Sequence, residues 1–387
     1  MKEFLIPVSD ELAKNNYASH QLGSQIIKHT LKEGYPQLEP HSIALFGIIS
    51  HTQKASLLQQ VRPYFYSLAS HFPGLKIYDL GDIIEGSTFE DTCEAITQIT
   101  LECFENQVVP IYIGIEHKET IAYYNAFERL KKIIDIALID ATIDVDNFDN
   151  NITEANWILS LIQRDPNYIF NLSLLAYQSY YVSEEVVDLM EKLYFDVLRL
   201  GKIHANLAFE AEPLLRAADL VSVDLKSIRF ADLPASNFYS PNGLSGEEIC
   251  QLMRFAGMSE RVSALGIYGG ALFTENNHPV FSRVSYQLLS QMIWYFIFGF
   301  FNAPNEDPYL DRSAFIKYIV TSEKFKTDLI FYKSMLSERW WVEVPFLSKF
   351  REGIERHLLL PCTYQDYQNA LNENIPVRWL KTFQKLS

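Results

Sequence analysis

The 387-residue sequence predicts an α/β fold, with a mainly parallel central sheet layered between helices and a C-terminal extension after it. Three observations lead there. Short apolar, β-branched runs recur through the first three quarters of the chain, as strands buried on both faces do. Segments of helical length separate them, the alternation that wraps a parallel sheet in helices. Several runs also end directly in residues that carry chemistry, and ligands of open α/β sheets collect beyond the carboxyl ends of the strands.

Taken in order, residues 1–40 read as a mostly helical segment ending at Pro40. Ser42–Ile49 is the first core strand, Ala55–Phe72 a helix covering it, and Lys76–Leu80 a second short strand. Ser87-Thr-Phe-Glu90 has the spacing of a capping box, so a helix is expected from Ser87 to Asn106. The run Val108–Ile113 leads into Gly114-Ile-Glu-His117, and Ile136–Ile139 leads into Asp140-Ala-Thr-Ile-Asp144. Tyr168–Ala176 is another buried strand, followed by a helix over Ser183–Leu198. Asp219–Asp224 is a strand that runs into Leu225-Lys226. Ser245-Gly-Glu-Glu248 is a second capping box with Leu244 as its hydrophobic staple, and Ser263–Tyr268 ends at Gly269.

The character changes near Pro304, so a domain over 1–303 and an aromatic-rich extension over 304–387 are expected. Paired Trp340 and Trp341 bury area, which packs the extension on the domain's flank; a homo-oligomer or partner surface is the alternative. The longest apolar run, Met292–Phe301, is about half what a membrane-spanning helix needs. A formal net charge of −15 argues against nucleic acid or an anionic membrane as partner, leaving a small-molecule ligand or a protein. The four cysteines lack Cys-x-x-Cys spacing, and the N-terminus lacks the apolar core of a signal peptide. A cytoplasmic protein is expected.

Three strand ends therefore offer His117, Asp140 with Asp144, and Asp224 to what could be one point in space. Two weaker candidates are discounted. Asp144–Asp149 resembles the start of a calcium loop but lacks its glycine and closing glutamate, and is read as a solvated acidic loop. His204 and His278 are read as loop histidines without partners.

The motifs Gly114-Ile-Glu-His117, Asp140-Ala-Thr-Ile-Asp144, Ser222-Val-Asp-Leu-Lys226 and Gly243-Leu-Ser-Gly-Glu-Glu248 resemble, in order and spacing, those of the ureohydrolases: arginase, agmatinase and above all formiminoglutamase. The resemblance implies a three-layer αβα arginase-like fold. It also implies two Mn²⁺ ions sharing a bridging hydroxide that attacks an amidine carbon. By that resemblance one ion would be held by His117, Asp140, Asp144 and Asp224, all retained. The second loses two donors, because Thr142 stands for a histidine and Lys226 for an aspartate. The family's substrate-engaging glutamate corresponds to Gly269, so a cationic amidine loses its fixed anion.

An ammonium does not coordinate a cation, so a second Mn²⁺ is not expected, and Lys226 is expected to act as counter-charge or charge stabiliser. For the first site two readings stand, one Mn²⁺ or a metal-free cluster organised by Lys226, and the metal-free one is preferred. The corresponding functions are a non-catalytic, formiminoglutamase-like pseudoenzyme that binds a ligand or partner, and a single-Mn²⁺ hydrolase of linear amidines with Lys226 and Asp144 in catalytic roles.

Overall fold

The computed structural model describes residues 5–146, 151–273, 278–322, 327–345 and 353–386. Ten strands form the main sheet: β1 (Leu5–Ile6), β2 (Ile27–Lys28), β3 (Ser42–Ile49), β4 (Ile77–Ile84), β5 (Val108–Gly114), β6 (Ile134–Ile139), β7 (Ile169–Tyr177), β8 (Asp196–Arg199), β9 (Leu220–Asp224) and β10 (Ala264–Tyr268). Their order is β1-β4-β3-β5-β10-β9-β6-β7-β8, with β2 also on β4. Every pairing is parallel except β1 with β4. The carboxyl ends of β5, β10, β9 and β6 therefore lie side by side along one edge of the sheet.

Period-two alternation divides each strand between two cores. In β3, Ile43 and Leu45 join one core while Ala44 and Phe46 join the other. The helices Leu57–Ser67, Gly246–Gly257 and Pro279–Phe301 cover the first face. Phe89–Glu105, Thr120–Arg129, Trp157–Ile162 and Glu184–Lys192 cover the second, giving three layers. Each large apolar side chain buried in this way contributes about 2 kcal/mol. Two helices of the first face cross closely because glycines meet there. A Cβ on Gly257 would lie 2.1 Å from the Phe296 carbonyl oxygen, and one on Gly299 would lie 2.3 Å from that of Arg254.

The extension is a second sheet, antiparallel, in the order β11 (Phe315–Ser322), β12 (Thr327–Ser334), β13 (Trp340–Glu343) and β14 (Leu359–Cys362), with helices Tyr364–Leu371 and Val377–Lys385. Trp340 stacks on Tyr367 and belongs to the extension's own core. Trp341 lies under the Arg216 guanidinium of the main domain, which also donates to the Trp340 and Cys362 carbonyls. The tryptophan pair thus faces both ways, and Arg216 ties the extension to the main domain.

Several expectations need correction. Residues 5–40 are not mostly helical: they hold β1, β2, a five-residue helix Asp10–Lys14 and one 3-10 turn, because β1 and β2 are recruited as partners of β4. The first capping box sits one residue later, with Thr88 accepting from Asp91 N–H and Asp91 accepting from Thr88 N–H. The Ser183–Leu198 stretch is a helix only over Glu184–Lys192. Tyr194 adopts φ 60° and turns the chain into β8, where pairing with β7 overrides helical propensity. The Ser245 box stands as expected, with Leu244 and Ile249 buried in one core. Met292–Phe301 is the end of a 23-residue helix, and among the described residues no helix is long and apolar enough to cross a membrane. The calcium-like loop lies partly outside the described residues.

Candidate metal centre

His117 opens a 3-10 turn directly after β5, Asp140 follows β6, and Asp224 is the last residue of β9. Parallel pairing through β10 brings these ends together, so one ligand atom from each lies within 4.8 Å of the others. All three are buried, with His117 only 1% exposed. The convergence inferred from the strand ends is therefore realised for one histidine and two carboxylates.

The histidine is held at both nitrogens. Its Nδ1 is 2.8 Å from Asp140 Oδ2 and 3.8 Å from Asp224 Oδ2. Its Nε2 is 2.8 Å from Ser222 Oγ, which in turn is 2.7 Å from Thr120 Oγ1. Ser222 thus fixes the ring so that Nδ1 faces the carboxylates, the outer-shell arrangement that orients a metal-ligating imidazole. Trp157 and Tyr268 pack on the ring, with centroids 4.8 and 5.5 Å away.

Asp144 stands to one side. Its Oδ1 accepts from the Thr142 hydroxyl at 3.0 Å and its Oδ2 from the Trp157 indole N–H at 3.0 Å. Thr142 also donates its backbone N–H to Asp140, at 3.1 Å. Lys226 points inward as a counter-charge would: its Nζ is 3.3 Å from Asp224 Oδ2 and 3.5 Å from Glu154 Oε2. Gly269, just beyond β10, has φ 134°, and a Cβ there would meet Leu225 Cβ at 2.9 Å. A glutamate does not fit this backbone without rearrangement.

Electrostatics follow from that geometry. Burial alone would push His117 down, but the Asp140 hydrogen bond and the surrounding carboxylates raise it to about 9. Burial and the Asp140 charge raise Asp144 to about 7 and Asp224 to about 6. Burial would lower Lys226 too, yet Asp224 and Asp140 hold it above its ordinary value, so its ammonium stays charged. One imidazole and two carboxylates are an oxygen-rich donor set that fits a Mn²⁺ ion. The set for a second ion does not fit, since Thr142 is spent on the two aspartates and Lys226 supplies a positive charge in its place.

A second buried cluster has the same residue types, Asp135, Asp219 and His357, at the opposite ends of β6 and β9. Its chemistry differs. Arg356 donates to Asp219 at 2.7 Å, Lys132 lies 3.4 Å from Asp219, and Arg261 lies 3.9 Å from Asp135. His357 Nδ1 contacts Asp135 at 2.9 Å and its Nε2 the Ile133 carbonyl at 3.3 Å. Three fixed cations already neutralise two carboxylates, so this cluster reads as an ionic tie between extension and sheet.

Sequence reasoning missed Ser222, Trp157, Glu154 and this second cluster. Ser222 was accessible, because two residues before Asp224 on one strand places both side chains on the same face. Trp157 and His357 arrive from remote segments and carry no local signal. His204 is not partnerless: it lies in the helix Leu200–Ala205 with Nδ1 2.6 Å from Glu248, while His278 caps the helix Pro279–Phe301.

A sequence model of the arginase family matches residues 50–267. No curated protein sequence matches the chain. Among solved structures, a formiminoglutamase of Trypanosoma cruzi, solved with Mn2+2, is 18% identical with a TM-score of 0.59, covering 68% of this chain and 94% of that one. Formimidoylglutamase of Bacillus subtilis is 15% identical with a TM-score of 0.60, covering 76% and 96%. Agmatine ureohydrolase of Thermoplasma volcanium is 17% identical with a TM-score of 0.54, covering 76% and 97%. At these identities the likeness is one of fold.

Proposed function

The chain belongs to the arginase family, and from that premise we propose that it is a formiminoglutamase-like protein in which the Lys226 ammonium stands in for one of the family's two metal ions. The observation that carries this reading is the inward position of Lys226, 3.3 Å from Asp224 and within reach of Glu154. With two-metal chemistry given up, the strand-end cluster serves as a polar floor for binding a small ligand. Asp144, held by Trp157 and Thr142, and His117, held by Ser222, keep that floor rigid.

A second reading is favoured by the convergence of His117, Asp140 and Asp224, whose donor set fits a single Mn²⁺. When bound, that ion would supply Lewis-acid polarisation for hydrolysis of a linear amidine. Lys226 would then stabilise developing negative charge, and Asp144 would hold the Thr142 hydroxyl in place.

Manganese content and amidine turnover separate the readings. The purified chain, supplied with Mn²⁺, is assayed by elemental analysis beside a screen of formimino-amino acids. No metal and no turnover supports the lysine-substituted binding protein. One Mn²⁺ per chain with turnover lost in Asp224→Ala supports the single-metal enzyme, and two Mn²⁺ per chain refutes both.

A further inference from the structure

The loops that follow β7 and β9 carry an aromatic shelf beside the strand-end cluster. After β7 come Gln178, Tyr180 and Tyr181; after β9 come Phe230, Phe238 and Tyr239. Tyr180 and Tyr181 pack edge to face at 4.7 Å, Tyr181 meets Phe238 at 5.8 Å, and Phe230 meets Tyr239 at 5.5 Å. Because β6 lies between β9 and β7, the Tyr181–Phe238 contact bridges over the end of β6, where Asp140 and Asp144 begin their loop. Tyr180 and Tyr181 are 60% and 45% exposed, so their rings are open to an arriving ligand, while Tyr239 packs with Phe230 as a separate pair.

Beneath the shelf is an unsatisfied donor. Gln178 is 2% exposed, its backbone N–H donates to the Ala141 carbonyl at 2.9 Å, and Ala141 is the neighbour of Asp140. The Tyr180 hydroxyl donates to Gln178 Oε1, while Gln178 Nε2 has no hydrogen-bond partner among the described residues. A buried amide left unpaired is destabilising, and an arriving acceptor relieves that cost.

We propose that Gln178 and the Tyr180–Tyr181–Phe238 shelf form a ligand subsite for a molecule with a flat, aromatic or conjugated body and a carbonyl or carboxylate acceptor. The rings supply stacking area, with little side-chain entropy to lose. Gln178 Nε2 supplies the hydrogen bond that orients the acceptor. A cation is not the match for the unpaired Gln178 Nε2, which is a donor and needs an acceptor. This inference rests on reading the strand-end cluster as a small-ligand site, whose substrate class it narrows.

The test uses N-benzoylglycine as probe, with acetylglycine lacking the ring and benzylamine lacking the acceptor, each titrated into the full-length protein by calorimetry and saturation-transfer NMR. N-benzoylglycine is expected to bind about tenfold or more tightly than either control, and Gln178→Leu, Tyr180→Ala and Tyr181→Ala each to weaken it about tenfold. Tyr180 and Tyr181 are exposed, so their variants fold even where Gln178→Leu does not. Failure of N-benzoylglycine to bind, equal binding of benzylamine, or affinity unchanged in the tyrosine variants overturns the subsite. Manganese content is measured on the same samples. Lost probe binding with unchanged metal content refutes the subsite alone, whereas intact probe binding with two Mn²⁺ per chain refutes the Lys226 reading alone.

Discussion

Replacing Lys226 by alanine removes the one side-chain cation other than His117 that contacts the strand-end carboxylates among the described residues. At 3.3 Å from Asp224, the ammonium gains about 5 kcal/mol of attraction at an effective dielectric of about 20. Its side chain is 25% exposed, so solvent screening and the cost of desolvating it leave roughly 2 kcal/mol net. Lys226→Ala should therefore lose about 2 kcal/mol in urea unfolding without metal. It leaves Asp140 and Asp224 short of positive charge, so added Mn²⁺ should restore the loss, rising in proportion to metal bound. Lys226→Arg keeps the charge and should behave like the parent. Unfolding of Lys226→Ala at the parent's urea midpoint, or equal stabilisation of parent and variant by Mn²⁺, would refute the counter-charge role of Lys226.

Three further outcomes follow from the geometry. The double variant Thr142→His, Lys226→Asp restores two donors and should raise manganese content above the parent's; an unchanged content would mean that the backbone of this site has also drifted. In metal-free buffer, His117, Asp144 and Asp224 all hold their protons more tightly folded than unfolded. Their contribution is therefore full below the unfolded values, about 4 for aspartate and 6.5 for histidine, and is lost as pH rises through the folded ones. Stability should fall on the order of 1 kcal/mol per pH unit between about pH 5 and 9, and a flat urea midpoint over that range would contradict the burial of the cluster. Arg356→Ala strips Asp219 of its 2.7 Å partner and should cost about 3 kcal/mol, with no rescue by Mn²⁺. Rescue there would show that the second cluster is a metal site after all.

Much of the architecture was legible in the sequence. The runs at Ser42–Ile49, Val108–Ile113, Ile136–Ile139 and Asp219–Asp224 announce strands buried on both faces, because short apolar runs rich in β-branched residues and bounded by polar ones have a strand's length rather than a helix's. The positions of His117, Asp140 and Asp224 at the ends of those runs follow from the same reading, whereas Lys226 at a metal-donor position is implied only by the resemblance to the ureohydrolases. Recruitment of β1 and β2 by β4, and the turn at Tyr194 that ends a helix early, were not legible, since each depends on a partner strand far away in sequence. The same limit hid the distinction between the two histidine–aspartate clusters. Residue types are identical in both, and only the fold reveals that one faces a single lysine while Arg356, Arg261 and Lys132 surround the other. Local periodicity determines which residues reach a strand's end. What charge waits for them there is decided by segments that the chain brings in from elsewhere.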